Sequence, residues 1–445
     1  MLKKFIFIIF GCFSLNISYA QANKNIIYLS WENVVNISLK ENLSLKSKLL
    51  DYESQNLEEW RAITSFIPSF SYQGTAIRNL ELPVFIFMGQ KFVVGTNYSI
   101  QHSLDLTLPV FTGGMRWFNL SAQKSLRKSL SEELKGAESQ TVLSALQSYY
   151  GIMLSNELMK TASEAVKVAK QNLENVEIHY KQGAATELDL KRANAQYYST
   201  IPQLESAVSV KLLSYQRLKS ILNIPLEDSL VVVDSLKSKN FLAGYSDFSL
   251  DELKNIALEK RNDLLSLGYK LDAAGEGEKM ALSQFSPVIS ISANVTHQAQ
   301  MDRAKISWSD YIRSKSLILS VYWPIFEGGK KIIDYQLAQI KTDQMKLTIK
   351  QAKDLASLDV EEKYYSFKEV LKSLNSLKQA MEESKESMRI SSLMYGNGMG
   401  TQLDVLNAQL LYTRSSAEYL QGIYNFNISQ LQLLNSVGLM DNIWK

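Results

Sequence analysis

Alternation of apolar and polar residues marks four short segments of the chain. From Asn97 to Leu108 the even-numbered positions are apolar or aromatic, with one histidine, and the odd-numbered positions are polar. This period of two predicts a strand with one apolar and one polar face. The predicted strands are 69–79, 97–109, 288–297 and 316–324. A proline precedes each pair of strands and another closes it: Pro68, Pro109, Pro287 and Pro324.

Helical periodicity fills most of the remaining chain. The predicted helices are 31–66, 115–182, 186–223, 250–285, 330–396 and 401–437. The two longest would each measure about 100 Å at a rise of about 1.5 Å per residue. Only 7 prolines occur among 445 residues, which favours long helices because an interior proline costs about 3 kcal/mol. In each half of the chain, the first and last helices together match the length of the long one and could stack end to end beside it.

Two motifs recur with one spacing and indicate an internal repeat. The segment PVFTGG that begins at Pro109 matches PIFEGG that begins at Pro324, and YKQG from Tyr180 matches YGNG from Tyr395. Upstream, 30–42 matches 249–261 with an offset four residues longer. The sequence therefore predicts two copies of a helix–strand–strand–helix–helix unit. The copies occupy 21–234 and 248–445, and a polar linker at 235–247 joins them.

The first twenty residues are typical of an export signal. Lys3 and Lys4 precede an apolar run, and Ser18-Tyr19-Ala20 follows it, so we expect cleavage after Ala20. The only cysteine, Cys12, lies inside this segment, and the mature chain can then form no disulfide. Acylation of Cys12, which follows a glycine, is the alternative.

The chemistry of the chain argues against several classes of protein. Lys and Arg number 48 against 45 Asp and Glu, so there is no positive excess for binding nucleic acid. The three histidines lack the spacing of a metal site, and the sequence contains no nucleophile motif or phosphate loop. We therefore expect no enzymatic activity, cofactor or metal.

Four strands of about ten residues cannot close a barrel, because about eight are needed. An open sheet with an apolar face would also be unsatisfied in lipid. Several copies of the chain would therefore have to share one barrel. Aromatic residues lie near the strand ends, as in an interfacial girdle: Phe70, Tyr72, Tyr98, Tyr322 and Trp323.

In four features taken together, the chain resembles the TolC-type outer-membrane efflux family. These are the export signal, the duplicated order of elements, the Pro-x-Phe-x-Gly-Gly motif, and the turn segments ending in Leu188-Asp189 and Leu403-Asp404. The resemblance implies an α+β membrane protein, a homotrimer whose twelve-stranded barrel lies in the lipid of the outer membrane and continues into a long periplasmic α-helical barrel. It also implies two partners, a periplasmic adaptor protein and an inner-membrane pump of the resistance-nodulation-division (RND) or ATP-driven (ABC) type. The function implied is passive conduction of the pump's substrates.

In that family the periplasmic ends of the helical hairpins form an iris that closes the tube. Asp404 matches a pore-lining acid, Asp189 is its equivalent in the first repeat, and Tyr395 matches an aromatic that holds the closed iris by hydrogen bonding. The sequence departs from the family pattern at Gly400, which replaces a basic latch, and at Asn407, which replaces a second pore acid. For the two aspartates, the alternative interpretation is an acid in the first turn of a helix, where the helix dipole favours a negative charge.

Two further groups of residues have expected roles. The turns expected to dock the adaptor contain Gly183, Thr186, Leu188, Gly398, Thr401 and Leu403. The breaks between strand and helix are expected at Pro109, Gly113, Gly114, Pro324, Gly328 and Gly329. The segment 80–95 is unusually apolar for a loop, and either an extension of the barrel strands or a cap across the trimer mouth would explain it.

Two other interpretations remain at this point. A periplasmic coiled-coil adaptor or scaffold would also contain long helical hairpins, but it would need a compact domain of short strands, which the sequence does not predict. A general porin would need many more strands and far less helix.

Overall fold

The computed structural model describes residues 26–244 and 248–444. The predicted export signal and Cys12 lie outside the described residues. The first repeat contains β1 (Ile26–Leu29), α1 (Trp31–Glu41), α2 (Leu43–Thr64), β2 (Ser69–Arg78), β3 (Val84–Phe87), β4 (Gln90–Val93), β5 (Tyr98–Thr112), α3 (Met115–Lys181), α4 (Glu187–Leu222) and β6 (Ser229–Val232).

The second repeat has the same main elements in the same order. It contains α5 (Leu250–Lys260), α6 (Asn262–Ser283), β7 (Val288–Met301), β8 (Ile312–Tyr322), α7 (Lys330–Gly396) and α8 (Gln402–Val437), with short 3₁₀ turns at Trp308–Asp310 and Met440–Ile443. Among the described residues, no helix combines the length and the apolar character needed to cross a membrane.

The four long strands form one antiparallel sheet in the order β2-β5-β7-β8. Ser69 of β2 pairs with Thr107 of β5, and Val288 of β7 pairs with Tyr322 of β8. The two pairs occupy equivalent positions of the two repeats. Val288 follows Ser69 by 219 residues and Tyr322 follows Thr107 by 215, which are the offsets between the repeats. The sheet therefore repeats in register as well as in order, and β2 and β8 are its two outer strands.

The strand ends differ from the predicted ones. Strand β5 does not stop at Pro109 but continues to Thr112 through a β-bulge between Pro109 and Phe111. A bulge accommodates proline because proline has no N–H to donate to the ladder. Strands β7 and β8 also reach further toward their connecting loop than predicted, to Met301 and from Ile312. The charged residues there had suggested a loop.

Each predicted opening helix is divided in two by a single extended residue, Asn42 or Arg261, so the predictions of one helix at 31–66 and at 250–285 were wrong. Asn42 accepts a hydrogen bond from Leu45 N–H and donates one from Nδ2 to the Ile221 carbonyl, at 2.9 Å. Arg261 donates one to the Ser436 carbonyl at 3.0 Å. Both repeats thus tie the break to the last turn of their final helix.

The 67-residue helices α3 and α7 form the long axis of each repeat. Helices α1, α2 and α4 pack along α3, and α5, α6 and α8 pack along α7. Helix α3 also packs against α6 of the second repeat and so joins the two halves. The main apolar core surrounds the middle of α3, where the ring of Tyr149 is fully buried and its hydroxyl lies 2.7 Å from Asp234 Oδ2.

The segment between the repeats is not a loose polar linker. Strand β1 pairs in parallel with β6, so the chain returns to its first strand before the second repeat begins. From the buried face of α8, the side-chain amides of Asn427 and Gln430 exchange hydrogen bonds with the backbone of 237–242. Leu236 and Leu242 are buried in the main core. The part of the segment at 245–247 lies outside the described residues.

The apolar segment 80–95 forms a separate hairpin, in which β3 and β4 pair only with each other. A tight turn at Met88 and Gly89, both with positive φ, connects them. Of the two alternatives given for this segment, the extension of the long strands is therefore wrong. Both faces of β3 carry apolar side chains, and Phe85 is 60% exposed.

Candidate gate and docking turns

The two helix–helix turns have the same backbone structure. Gly183 and Gly398 adopt left-handed conformations with φ of 72° and 73°. After α3, Ala184 N–H donates to the His179 carbonyl at 2.8 Å, and after α7, Met399 N–H donates to the Met394 carbonyl at 2.8 Å. These are Schellman C-caps, which favour glycine because it alone adopts positive φ without strain.

Each following helix begins with a capping box. At the start of α8, Thr401 N–H and Thr401 Oγ1 both donate to Asp404 Oδ2, at 3.0 and 2.6 Å, and Asp404 N–H donates back to Thr401 Oγ1 at 3.3 Å. Thr186 and Asp189 form the same box at the start of α4. The boxes satisfy N–H groups that a helix start leaves unpaired.

The capping box also fixes the charge of Asp404. Hydrogen bonds from the Thr401 hydroxyl and backbone lower the pKa of Asp404 below its usual value. The carboxylate is therefore ionised at neutral pH, and the box hydrogen bonds reach only its Oδ2. The exposed side chain leaves Oδ1 at the surface of the tip. Capping and contact with a pore are thus compatible for this residue.

Tyr395, in the last turn of α7, reaches across to the first hairpin. Its ring packs on the small apolar cluster of Leu173, Val176 and Ala193, and lies edge-on to His179 at 5.6 Å. Burial, and then the charge of Asp189, raise the pKa of Tyr395. Its buried hydroxyl makes no hydrogen bond among the described residues. In this conformation the contact between hairpins is made by the ring.

The remaining predicted positions fall on the tip surface. Leu188 and Leu403 are more than 45% exposed, and Asn407 is exposed one turn after Asp404. A Cβ on Gly400 would lie 3.2 Å from Tyr395 N and from Met394 Cβ, so any side chain there would require a small shift of these neighbours.

Two features of the tip region were missed by sequence reasoning. Gln402, beside the capping box, is 2% exposed, and neither its side-chain oxygen nor its nitrogen has a partner among the described residues. Further from the tip, a cleft of about 250 Å³ separates the hairpins and is lined by both short and long side chains, including Ala165, Thr200 and Tyr412. The cleft depends on packing between hairpins, which the periodicity of a single helix does not reveal.

The glycine pairs lie at the starts of the long helices. Gly113 and Gly328 have φ of 63°, and Gly114 and Gly329 have φ of 88° and 85°. A Cβ on Gly113 would lie 2.5 Å from the Ser283 carbonyl oxygen, whereas one on Gly328 would meet nothing within 4 Å of it. Gly113 therefore also permits a close approach of the second repeat.

The comparison with known families agrees with this architecture. The family model of the outer membrane efflux protein matches residues 71–223 and 253–439, most of both repeats. The chain belongs to the outer membrane efflux protein family. This confirms the resemblance drawn from the sequence motifs and gives the protein the role of an outer-membrane efflux channel.

The chain resembles several outer membrane proteins at low sequence identity. The probable outer membrane lipoprotein SilC of Salmonella typhimurium is 21% identical over 72% of this chain and 68% of its own length. Outer membrane protein TolC of Escherichia coli is 20% identical over 76% of this chain and 69% of its own. The structure of the CmeC outer membrane channel of Campylobacter jejuni shares the fold, with a TM-score of 0.78, 18% identity, and coverage of 92% of this chain and 85% of that one.

Proposed function

We propose that three copies of the chain assemble into one passive channel, with a twelve-stranded barrel in the outer membrane and an α-helical tube in the periplasm. The observation that carries the proposal is that the single chain leaves strand edges and apolar helix faces without a partner. Strands β2 and β8 each leave one edge of the sheet unpaired. Unpaired edges are unsatisfied in lipid, and a closed ring of sheets removes them.

Two of the helices likewise leave an apolar face without a partner. Helix α3 packs extensively against α6, but among the described residues α7 has no comparable packing against α2. The apolar side chains on these two helices are accordingly exposed: Leu50, Leu57, Trp60, Ile333, Leu337, Ile340 and Leu347. Contact between α7 of one copy and α2 of the next would bury them and repeat the α3–α6 packing.

The tips at 183–190 and 395–407 form the gate of the proposed channel. Asp404, together with Asp189, supplies a ring of ionised carboxylates, Asn407 lies on the same exposed face as Asp404, and Tyr395 holds the two hairpins together. Like charges brought close together repel, so such a ring favours opening unless a cation binds.

The exposed turns and the cleft between the hairpins would receive the partner proteins. Gly183 and Gly398 allow tight turns, Thr186 and Thr401 fix the helix starts, and Leu188 and Leu403 present apolar side chains. We assign this surface to a periplasmic adaptor, which links the channel to an inner-membrane pump of the RND or ABC type.

Planar-bilayer recording tests the proposal. The purified mature protein should give discrete, long-lived openings that multivalent cations block from one side. In Asp404→Ala, cation block should weaken and conductance should change, whereas Glu187→Ala, an exposed acid at another tip position, should behave as wild type. Unchanged block in Asp404→Ala would reject the pore ring. Failure to insert, together with a water-soluble monomer, would instead favour a periplasmic scaffold.

A further inference from the structure

A basic strip lies on the apolar face of the four-stranded sheet, at the loop end of the strands. Alternate residues of a strand share a face. On β8 the face that presents Leu319 and Leu317 continues with Lys315 and Arg313, nearest the connecting loop. All four side chains are exposed in the chain. The face thus changes from apolar to cationic within one strand.

The neighbouring strands extend the strip. Arg313 is the cross-strand partner of His297 on β7, and His297 is the partner of His102 on β5. Directly paired residues point to the same face, with Cβ atoms about 5 Å apart. Two imidazoles and a guanidinium therefore lie side by side, and Lys315 lies next to them on the same face.

Aromatic side chains with polar ends surround this position. Tyr72 Oη lies 2.7 Å from His102 Nδ1, and Tyr311 Oη lies 3.3 Å from His102 Nε2. The ring of Trp308 lies 5.0 Å from that of Tyr311 and 6.4 Å from that of His297. Tyrosine and tryptophan concentrate where hydrocarbon meets the headgroups, because one part of each ring is apolar and another is polar. The cluster therefore marks headgroup depth on the outward face.

The cations of the strip have no carboxylate partner among the described residues. Arg303, in the adjoining loop, pairs with Asp310 at 2.8 Å. Neither Arg313 nor Lys315 forms an ion pair within residues 26–244 and 248–444. Both protrude from an apolar face, where an unpaired charge is costly unless it lies at the interface and meets an anion.

We propose that Arg313, Lys315 and His297 bind phosphate groups of the lipid that surrounds the barrel at the loop end of its strands. This inference rests on the barrel proposed above. The planar guanidinium of Arg313 can donate two hydrogen bonds to one phosphate, and the Lys315 ammonium adds a second positive charge. His102 contributes indirectly, because both of its ring nitrogens lie against tyrosine hydroxyls.

Lipid binding to the whole detergent-solubilised channel tests the inference. Native mass spectrometry would compare diphosphoryl lipid A with the fully dephosphorylated lipid, and inorganic phosphate would be added as a competitor in a separate arm. Wild type should retain the diphosphoryl lipid at least tenfold more tightly. Arg313→Gln with Lys315→Gln should abolish most of that preference. Lys91→Gln with Lys305→Gln, which removes the same charge from exposed loop and hairpin positions, should preserve it.

Three results would overturn the inference: equal retention of the two lipids by wild type, an undiminished preference in the Arg313 and Lys315 variant, or complete displacement of the lipid by millimolar inorganic phosphate. The charge-conserving variant Lys315→Arg should retain binding, which guards against a folding defect in the glutamine variant. Conductance is recorded on the same samples. Channels that form normally without a lipid preference would reject this inference alone, whereas absence of channels in wild type would reject the proposed function.

Discussion

Asp189 and Asp404 each use one carboxylate oxygen to begin a helix. A role at the start of a helix and a role in the pore are therefore not exclusive for these acids. What the structure establishes is the cap: the same Thr-x-x-Asp box, with nearly the same distances, at both tips. The pore role of Asp404 and Asp189 stays a prediction.

Removal of the Asp404 carboxylate should loosen the tip only at pH values at which this carboxylate is ionised. The folded-state pKa of Asp404 is lowered below its usual value of 3.8. The stabilisation is therefore complete above that value and is lost as the pH falls through the folded pKa. Hydrogen–deuterium exchange of the 399–406 segment should be several-fold faster in Asp404→Ala than in wild type at pH 7, and this ratio should shrink as the pH is lowered below 3.8. Leu403→Ala, which leaves the box intact, should show little effect at pH 7. An Asp404→Ala effect that stayed the same size over this pH range would contradict the assignment.

The ring of Tyr395, rather than its hydroxyl, should hold the hairpins together. The hydroxyl has no hydrogen-bond partner among the described residues, while the ring packs on Leu173 and Val176. In single-channel recordings, Tyr395→Phe should resemble wild type, and Tyr395→Ala should open more often. Tyr180→Ala, at the equivalent position of α3, serves as the matched control. If Tyr395→Phe opened as often as Tyr395→Ala, a hydrogen-bonded latch would replace this interpretation.

At the scale of elements, both repeats break their first helix at one residue and fasten it to the end of the last helix. Arg261 does so with more bonds than Asn42. Its guanidinium contacts both carboxylate oxygens of Asp263, at 3.1 and 2.9 Å, and reaches Asp359 of α7 at 2.8 Å. Burial opposes ionisation of Asp263, but the hydrogen bonds and charge of Arg261 outweigh it and lower the pKa of Asp263. One side chain thus connects α6, α7 and α8.

Arg261→Ala should destabilise the protein more than Asn42→Ala. The first change leaves Asp359 and the Ser436 carbonyl without the Arg261 donors, and hydrogen bonds to charged groups contribute about 1.5–3 kcal/mol each. The second removes a helix cap and one neutral bond, and a lost cap costs about 1 kcal/mol. The apparent melting temperature of the detergent-solubilised protein would measure the difference. Arg261→Lys should be intermediate, because lysine keeps the charge but not the bidentate contact. If Arg261→Ala and Asn42→Ala lowered the melting temperature equally, the additional contacts of Arg261 would not contribute to stability as expected.

The limits of sequence reasoning are clearest in these elements. The starts of α3 and α7 follow from the Gly-Gly motifs, and their uninterrupted length follows from the absence of proline. The breaks at Asn42 and Arg261 were missed because one extended residue barely disturbs the helical period. The pairing of β1 with β6 was missed for another reason: four-residue strands have little periodicity, and their partners lie about 200 residues apart.

The candidate site was predictable in part for similar reasons. The turn glycines and the Thr-x-x-Asp boxes are local signals, so their positions follow from spacing. The contact of Tyr395 with Leu173 depends on how two hairpins pack against each other. No local pattern contains that information.

At the scale of the whole molecule, the internal repeat predicts the contacts between copies. The contacts between the two repeats of one chain should recur between the second repeat of one copy and the first repeat of the next. Helix α3 lies against α6 as α7 would lie against α2 of the next copy. Gly113 meets the end of α6 closely, and its equivalent Gly328 meets nothing within 4 Å in the single chain. A second copy would supply the missing neighbour.

The same template predicts the strand register between copies. Within the chain, Asp105 of β5 pairs with Asn294 of β7, and their side chains are hydrogen-bonded. The equivalent positions are Ser320 on β8 and Thr75 on β2, so Ser320 of one copy should lie opposite Thr75 of the next. Cross-strand partners have Cα atoms about 4.5–5.5 Å apart, within the range of about 4.4–6.8 Å that a disulfide spans.

Paired cysteines would measure that register. The only native cysteine is Cys12, before the predicted cleavage site, so introduced pairs would have no competitor in the mature chain. Ser320→Cys with Thr75→Cys should give a covalent trimer on oxidation, seen in denaturing gels without reductant. Ser320→Cys with Gln73→Cys, displaced by two residues on the same face, should remain mostly monomeric because the diagonal separation is too long. A trimer from the displaced pair alone would mean that the sheet between copies is shifted relative to the sheet within the chain. Covalent dimers without trimers would mean that the ring does not close at three, since each copy carries both cysteines and a closed ring joins every copy to two others.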